Sequence, residues 1–398
     1  MSAKLLKLLL FLLIFSLPLG QFGRVPGLDP TIGIYLQDLL LGLFCVVAGV
    51  YLAKQVGAMG GIRAVSLAPV LGVAFVLWAL ACLALGASAL SGLELLVSFS
   101  YWGRLSLFVV LFVEIYILRK VSPGVLTRLP LWLVLSGAIL AAAGFVQLVV
   151  FPDFGMLDKA LGWDPHYFRL NSTFFDPNFT GAYLVLCLGL IGGIGGRRAI
   201  GAILGAILLI AIFLTFSRSA WLMLAVVAFI YSLLKARWLL LISLVVAFWA
   251  YFSVPRVQTR LVGITDPADS AQFRLVSWQQ GLQLSSKSFL TGVGFNALRY
   301  AKNTSEFYDY RDSQGVHSGA GFDSSLLVVL ATTGIPGLLI FSLFYLVSLA
   351  GVVRSTRKGK LLIAASLVAL LIESNFINSL FYAPLMVFEA SLLGLFVD

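Results

Sequence analysis

Long apolar stretches separated by short polar segments dominate the chain. A stretch of about 20 mostly apolar residues is long enough to cross a bilayer as a helix. Such stretches predict an all-α protein, a polytopic membrane helix bundle with about twelve transmembrane helices. They cover residues 4–20, 32–53, 65–88, 99–118, 130–151, 178–195, 199–216, 219–234, 238–254, 323–349, 361–376 and 380–396.

One long polar segment interrupts this series and predicts a loop subdomain outside the membrane. Within it, Leu275, Trp278 and Leu282 recur at helical spacing, which predicts an amphipathic helix over 273–285 that lies across the end of the bundle. The chain is therefore divided into residues 1–254 with helices one to nine, the loop 255–322, and residues 323–398 with helices ten to twelve.

Glycines indicate two local features of this region. Gly292 and Gly294 predict a turn after the loop helix. Gly334 and Pro336 predict a kink in the tenth apolar stretch, which packed membrane helices tolerate.

The amino-acid composition excludes soluble classes of protein. Hydrophobic residues make up 60% of the chain and charged residues 11%, and the mean hydropathy is +1.02. So few charges do not cover the surface of a soluble enzyme or a nucleic-acid-binding protein. Cys45, Cys82 and Cys187 each lie in an apolar stretch and are expected to be buried. Two histidines do not make a histidine-rich metal site, and the sequence has no nucleotide-binding fingerprint. We therefore expect no cofactor.

The net charge of +10 is distributed unevenly. Basic residues concentrate in alternate loops, which the positive-inside rule places in the cytoplasm together with both termini. The opposite loops, including 255–322, then face the outside and carry most of the aspartates. The alternate basic loops contain Lys4, Lys7, Lys54, Arg63, Arg119, Lys120, Arg128, Arg197, Arg198, Lys235, Arg237, Arg354, Arg357, Lys358 and Lys360.

Arg218 lies in a short turn between two apolar stretches, at the predicted outer surface. Ser217 or Ser219 is suited to cap the following helix, and a helix N-terminus beside an arginine suits a phosphate. Trp221 fits an interfacial aromatic belt. The alternative is that Arg218 only anchors the hairpin at the membrane surface.

Two further arginines are candidates. Arg274 precedes Trp278 on the predicted loop helix, where it is alternatively a solvated surface residue. Arg169 comes before Asp176 and Asn178, of which Asn178 is a plausible helix N-cap. Arg169 either pairs with Asp176 or faces the site.

His317 and Asp323 are the candidates for a general base. His317 is the histidine of the long external segment, with an unperturbed pKa near neutrality. Asp323 begins the tenth apolar stretch, where it or Ser324 is alternatively a helix cap.

Three glutamates fall within apolar stretches, where a carboxylate is costly unless it is paired or faces a polar cavity. They are Glu114, Glu373 and Glu389. They are either proton-relay groups or counter-ions to the arginines, and the second role is expected for Glu373, which lies near the outer end of its stretch.

Five motifs occur in an order that resembles the O-antigen ligase/polymerase family of bacterial membrane proteins. The resemblance implies glycan transfer from undecaprenyl diphosphate on the outer face of the bacterial inner membrane, inverting and independent of metal. Ligases of the family transfer the glycan to lipid A core, and polymerases join repeat units. The motifs are Arg169–Asn178, Phe216–Trp221, Arg274-x-x-x-Trp278, Leu290–Gly294 and Asp323–Gly337.

The resemblance implies roles for individual residues. Arg218 and Arg274 would bind the phosphates and act in catalysis, and His317 or Asp323 would be the base. Family ligases commonly have His-Asn where Asp323 and Ser324 stand here, which favours a polymerase over a standard ligase. Residues expected to contact substrate are Arg169, Asn178, Trp221 and Trp278.

The implied partners are an undecaprenyl-diphosphate-linked glycan, an acceptor glycan or glycolipid, and membrane lipid, with no nucleic acid. A secondary transporter or flippase is the alternative from another class. Intramembrane glutamates and a broken helix are compatible with it, although the two halves of the chain are not similar to each other.

Overall fold

The structure is a computed structural model, and it describes residues 2–25, 32–58, 66–155, 166–193, 198–263, 270–304 and 321–398. The described residues are predominantly helical, which confirms the all-α prediction. A short antiparallel pair joins Arg24–Val25 (β1) to Ile34–Tyr35 (β2).

Helices α1 to α8 form the first part of the chain. They are α1 (Ala3–Ser16), α2 (Leu36–Ala58), α3 (Leu67–Gly86), α4 (Gly92–Val121), α5 (Leu129–Val150), α6 (Pro177–Ile191), α7 (Arg198–Leu214) and α8 (Arg218–Leu234). Helices α9 to α15 follow. They are α9 (Trp238–Ser253), α10 (Pro255–Val262), α11 (Ser270–Lys287), α12 (Leu298–Thr304), α13 (Ser325–Arg354), α14 (Lys360–Glu373) and α15 (Ala383–Phe396).

Six helical segments of the described chain are long and apolar enough to cross a membrane. A seventh candidate is the pair α9 and α10, which is bent by 97°. The described residues thus support a membrane protein with six or seven long spans. The six segments are Ala3–Gly23, Leu36–Gly57, Leu67–Ala89, Gly92–Val121, Pro123–Val150 and Ser325–Arg354.

The predicted count of about twelve spans is not confirmed. A helix occurs in each of the twelve apolar stretches, but several are short. Helix α6 has 15 residues and α15 has 14. At 1.5 Å per residue they extend for about 21–23 Å, less than the roughly 30 Å of the hydrocarbon core. The division into residues 1–254, 255–322 and 323–398 stays a prediction.

Helix packing defines two ends of the bundle. The N-termini of α6, α8 and α13 meet the C-termini of α7 and α14 at one end, which we call the site end. There Leu170 donates to Leu214 and Ser325 donates to Ser374, both through the backbone. The opposite end is called the basic end, and at it Arg119 forms an ion pair with Asp398 at 2.7 Å.

The core between these ends is apolar, with isolated polar groups. The three cysteines are buried and free, as expected. Glu114, Glu373 and Glu389 are also buried, with exposed fractions of 5%, 0% and 5%.

The predicted kink of α13 is confirmed at Gly334, whose φ is +67°. A Cβ atom here would lie 2.3 Å from the carbonyl oxygen of Leu290. Two backbone hydrogen bonds join the segment after α11 to the kink, from Ile335 to Phe289 and from Val293 to Ala331, each 2.9 Å long. The kink is therefore the place where the external segment docks on the bundle.

The loop helix predicted over 273–285 is confirmed as α11, and the leucines that suggested it do not form its buried face. Leu275 and Leu282 are 48% and 57% exposed. The helix instead packs through Leu284, which is buried, and through Gly281, where a Cβ atom would lie 3.3 Å from the Phe322 ring. The small glycine allows the close approach that decides which face is buried.

Candidate functional site

The turn that precedes α8 presents Arg218 at the helix N-terminus. The Ser217 hydroxyl accepts a hydrogen bond from the Ala220 amide at 3.3 Å and is the N-cap. The Ser217 amide donates to the Thr215 hydroxyl at 3.2 Å, and Phe216 has a φ of +46°. Arg218 is thus the first helical residue, and its guanidinium donates to the Arg260 carbonyl at 3.1 Å.

Asp176 and Asn178 fix the neighbouring helix start. The prediction that Asn178 is the N-cap is wrong, because Pro177 occupies the first helical position and the cap is the residue before it. The Asp176 carboxylate accepts from the Asn178 amide at 2.6 Å. The Asn178 side-chain oxygen accepts from the Ser217 hydroxyl at 2.6 Å, which ties α6 to the turn that carries Arg218.

Asp323 lies at the start of α13 without capping it. The cap is Ser324, whose hydroxyl accepts from the Leu327 amide at 3.3 Å. The Asp323 backbone is held by α11, since its amide donates to the Ser277 hydroxyl at 3.0 Å and its carbonyl accepts from the Trp278 indole at 3.4 Å. Within the described ranges its carboxylate has no hydrogen-bond partner.

Arg274, on α11, extends toward these helix starts. Its charge interacts with those of Asp323, Arg218, Asp176 and Glu373. Burial lowers the pKa of the Arg274 guanidinium, while the nearby Asp323 acts in the opposite direction. The guanidinium has no hydrogen-bond or ion-pair partner among the residues that the structure describes.

Burial and the neighbouring charges act in opposite directions on the pKa of Asp323. Burial raises the pKa of its carboxyl group, and Arg274 and Lys302 oppose this effect. The Lys302 ammonium donates to the Gly321 carbonyl at 2.5 Å and lies 4.3 Å from the centre of the Phe322 ring. The sequence contains no signal for Lys302, because only the folding of α12 against α13 brings it to Asp323.

Arg169 is buried behind the Arg218 turn, with an exposed fraction of 7%. Its Nε donates to the Thr215 carbonyl at 2.8 Å, and its Nη1 lies 3.3 Å from His166 Nδ1. Its Nη2 has no hydrogen-bond partner in the described chain. Arg169 and Asp176 interact electrostatically without forming an ion pair.

The surroundings of Arg169 are strongly positive. Burial lowers the pKa of its guanidinium well below the ordinary value, and Arg260 adds to this. Burial, together with Arg169 and Arg260, lowers the pKa of His166 to about 3, so the imidazole is neutral. Arg256 lies 4.4 Å from the centre of the Phe216 ring and donates to the Phe168 carbonyl at 2.6 Å.

The two candidate tryptophans lie in different surroundings. Trp221 packs on its own hairpin, with its ring 5.9 Å from that of Phe213 and tilted by 20°. Trp278 lies beside Asp323 and 5.8 Å from the Phe376 ring. Trp278 therefore borders the Arg274 region, whereas Trp221 shapes the hairpin that presents Arg218.

Glu373 ends α14 directly beneath this cluster. It is fully buried, and neither carboxyl oxygen has a hydrogen-bond partner among the described residues. Its charged neighbours include Arg274 and Asp176, and the Ser219 and Ser379 hydroxyls are close by. Glu373 forms no ion pair with an arginine among the described residues, so its expected role as a counter-ion stays a prediction.

His317, the other candidate base, lies outside the described residues. Within the described ranges no cluster of three His, Cys, Asp or Glu side chains is suited to hold a metal ion. The geometry therefore centres on arginines and on carboxylates that are separate from one another.

The middle of the chain is similar to a known protein family. Residues 203–342 match the model of a family described as O-antigen ligase. The matched region extends from α7 into α13 and contains Arg218, Arg274 and Asp323. The match confirms the resemblance seen in the sequence motifs and supports membership in the O-antigen ligase/polymerase family. No curated protein matches the chain.

Proposed function

We propose that this membrane protein transfers a glycan from undecaprenyl diphosphate to a sugar hydroxyl of an acceptor, as an O-antigen polymerase does. The observation that carries the proposal is the placement of Arg274. Its guanidinium has no partner among the described residues, and it interacts electrostatically with Arg218 and Asp323 inside the family-matched region.

Two arginines and a helix end suit a diphosphate. Arg218 begins α8, where free amides and the helix dipole add positive potential. Arg274 lies on α11 and interacts electrostatically with Arg218, so the two guanidinium groups come from different elements. We propose that they hold the diphosphate between them. Guanidinium groups bind phosphate oxygens in a planar two-point geometry, and such charged hydrogen bonds are strong at a partly buried site.

The reaction needs charge stabilisation at the leaving group. The acceptor oxygen attacks the anomeric carbon and forms the new glycosidic bond with inversion. The bond from that carbon to the diphosphate oxygen breaks, and its electron pair stays on the diphosphate. Because negative charge grows there, Arg218 and Arg274 stabilise the transition state more than the ground state. The proposal assigns this task to the arginines and to no divalent cation.

Asp323 is the proposed acceptor of the hydroxyl proton. Its carboxylate is free because Ser324 provides the helix cap. Lys302 and Arg274 favour its ionised form. A positioned general base contributes about 10²–10⁴-fold to a rate. His317 is the alternative base, and it is tested separately below.

The remaining residues hold the site together. Asn178 fixes the Arg218 turn through Ser217, and Trp278 fixes Asp323. Arg169 adds positive charge behind the turn and is proposed to attract the anionic donor. Glu373 balances Arg274 from the buried side. We place the site on the outer face of the bacterial inner membrane, with both termini in the cytoplasm.

Purified protein in detergent, supplied with an undecaprenyl-diphosphate-linked glycan and a chelator, tests the proposal. We expect a ladder of longer lipid-linked glycans whose formation needs no ion gradient. Transfer only after addition of lipid A core identifies a ligase. Absence of any product with either acceptor, together with uptake of the glycan lipid into sealed vesicles, contradicts the transferase and identifies a transporter.

A further inference from the structure

A groove of about 560 Å³ lies at the basic end of the bundle, between the start of α1 and the start of α5. It is at the opposite end from Arg218 and Arg274, so the proposed reaction does not use it. Lys7 and Arg128 provide its charged wall, Phe11 and Trp132 its apolar wall.

No described side chain compensates the two charges of the groove. Lys7 and Arg128 are exposed, and neither side chain has a hydrogen-bond or ion-pair partner in the part of the chain that the structure describes. The carboxylate present at this end in the described ranges is Asp398, which is paired with Arg119 at 2.7 Å. The groove thus has a net positive charge that favours an anion.

The apolar wall continues along the outside of α1. Leu8 and Phe11 are 53% and 37% exposed. They belong to the first helical segment, which is long and apolar enough to cross a membrane. The Phe11 ring meets the Trp132 ring edge to face at 5.5 Å. Tryptophan at the end of a span is typical of the head-group level of a bilayer. Two cations therefore lie at that level above a surface suited to hydrocarbon.

We propose that this groove binds one anionic phospholipid. Its phosphate lies between Lys7 and Arg128, and an acyl chain lies along Leu8 and Phe11. A free phosphate makes no use of the apolar wall, and a zwitterionic lipid brings its own cation next to the two basic side chains. Basic pockets between membrane helices are suited to anionic lipid head groups. This inference is independent of the proposed transfer reaction.

Native mass spectrometry of the full-length protein in detergent measures the binding of the first lipid. The probes are phosphatidylglycerol, phosphatidylcholine and inorganic phosphate. Each cation near an anionic lipid contributes about fivefold in affinity. The double substitution Lys7→Gln with Arg128→Gln is therefore expected to weaken phosphatidylglycerol binding about 25-fold.

Two further variants make the test specific. Gly124 has no atom within 4 Å of its Cβ position, so Gly124→Phe is expected to fill the groove and weaken phosphatidylglycerol binding while Lys7 and Arg128 remain. The matched control, Lys54→Gln with Lys235→Gln, removes the same charge elsewhere at the basic end and is expected to bind like the wild type.

Size-exclusion chromatography checks folding, and Gly124→Phe decides the outcome if the double variant does not fold. Equal binding of phosphatidylglycerol by the wild type and Gly124→Phe overturns the proposal. So does equal affinity of the wild type for phosphatidylcholine, or for inorganic phosphate.

Discussion

The Asp323 carboxylate faces the Arg274 guanidinium without forming an ion pair with it. The two charges influence each other's pKa, yet no ion pair within 4.0 Å joins them in the described chain. The position of Asp323 is fixed by its backbone, which hydrogen-bonds to Ser277 and Trp278 of α11. Its carboxylate is not needed as the cap of α13, because Ser324 is the cap. The proposed base and the proposed anion-binding group are therefore electrostatic neighbours that are not joined to each other in the described chain.

Removal of either arginine that we propose to bind phosphate should strongly slow glycan transfer. We expect Arg218→Ala and Arg274→Ala each to lower the rate of glycan transfer by about 10²–10³-fold, as loss of one transition-state donor does. The variants Arg218→Lys and Arg274→Lys should also transfer glycan more slowly, since an ammonium group does not make the planar two-point contact. The measurement is product formation by purified protein.

Arg299→Ala is the matched control for these variants. Arg299 lies on the same external segment, in α12, and is not among the charged neighbours of Arg274 or Asp323. It should transfer glycan at nearly the wild-type rate. Activity of Arg274→Ala equal to that of Arg299→Ala contradicts the phosphate-binding role.

The pH dependence should identify the base. A base acts only in its ionised form, so the rate should fall as pH falls through the pKa of Asp323. Burial raises this pKa above the ordinary value of about 3.9, so the loss of activity should occur at a higher pH than for a solvated aspartate. The measurement is the transfer rate against pH at saturating donor.

Two variants separate the candidate bases. Asp323→Asn should remove most activity at every pH, with a loss of about 10²–10⁴-fold, whereas His317→Gln should retain it. Ser324→Ala is the control, because it removes the α13 cap, which costs about 1 kcal/mol, and leaves the pH profile in place. Full activity of Asp323→Asn combined with an inactive His317→Gln assigns the base to the histidine.

Glu373 should be the buried glutamate that matters for turnover. Glu373→Gln removes the carboxyl group that we propose as the counter-ion of Arg274 while keeping the side-chain shape. We expect at least a tenfold lower rate, as loss of about 1.4 kcal/mol of transition-state stabilisation gives. Glu389→Gln is the matched control, since Glu389 is also buried but lies on α15 beside Tyr345. The same rate for both variants excludes a specific role of Glu373.

The short motifs predicted local backbone features better than the hydropathy of the chain predicted the helix ends. The Ser217–Arg218 turn and the Gly334 kink are local features that neighbouring residues determine, and both appear as expected. The resemblance came from the same short motifs, and the family match contains most of them. Local sequence therefore indicated which residues to consider.

Contacts between distant segments were not predictable in this way. The buried face of α11 follows from the close approach of Gly281 to Phe322 rather than from the leucine spacing. Lys302 reaches Asp323 only because α12 folds back. The number of spans also depends on helix length, and hydropathy windows extended α6 and α15 beyond their actual ends.

The docking of the external segment at Gly334 should control stability. Gly334→Ala places a Cβ atom 2.3 Å from the Leu290 carbonyl oxygen at a φ of +67°. We expect the free energy of unfolding to fall by about 2 kcal/mol or more. Thermal unfolding of the purified variant in detergent measures this change.

Gly103→Ala is the control for that measurement. Gly103 lies within α4 and has no atom within 4 Å of its Cβ position. Alanine there should be neutral or stabilising by up to about 1 kcal/mol. Equal midpoints for the two variants contradict the proposed docking contact.

Binding of the lipid carrier tests the central claim most directly. Undecaprenyl diphosphate and undecaprenyl monophosphate are titrated into the wild type, Arg218→Ala, Arg274→Ala and Arg299→Ala, and the dissociation constants are compared. We expect the wild type and Arg299→Ala to prefer the diphosphate, and each of the other two variants to bind it at least about tenfold more weakly, as loss of one charged hydrogen bond of about 1.5–3 kcal/mol gives. Unchanged diphosphate affinity in both Arg218→Ala and Arg274→Ala contradicts the account.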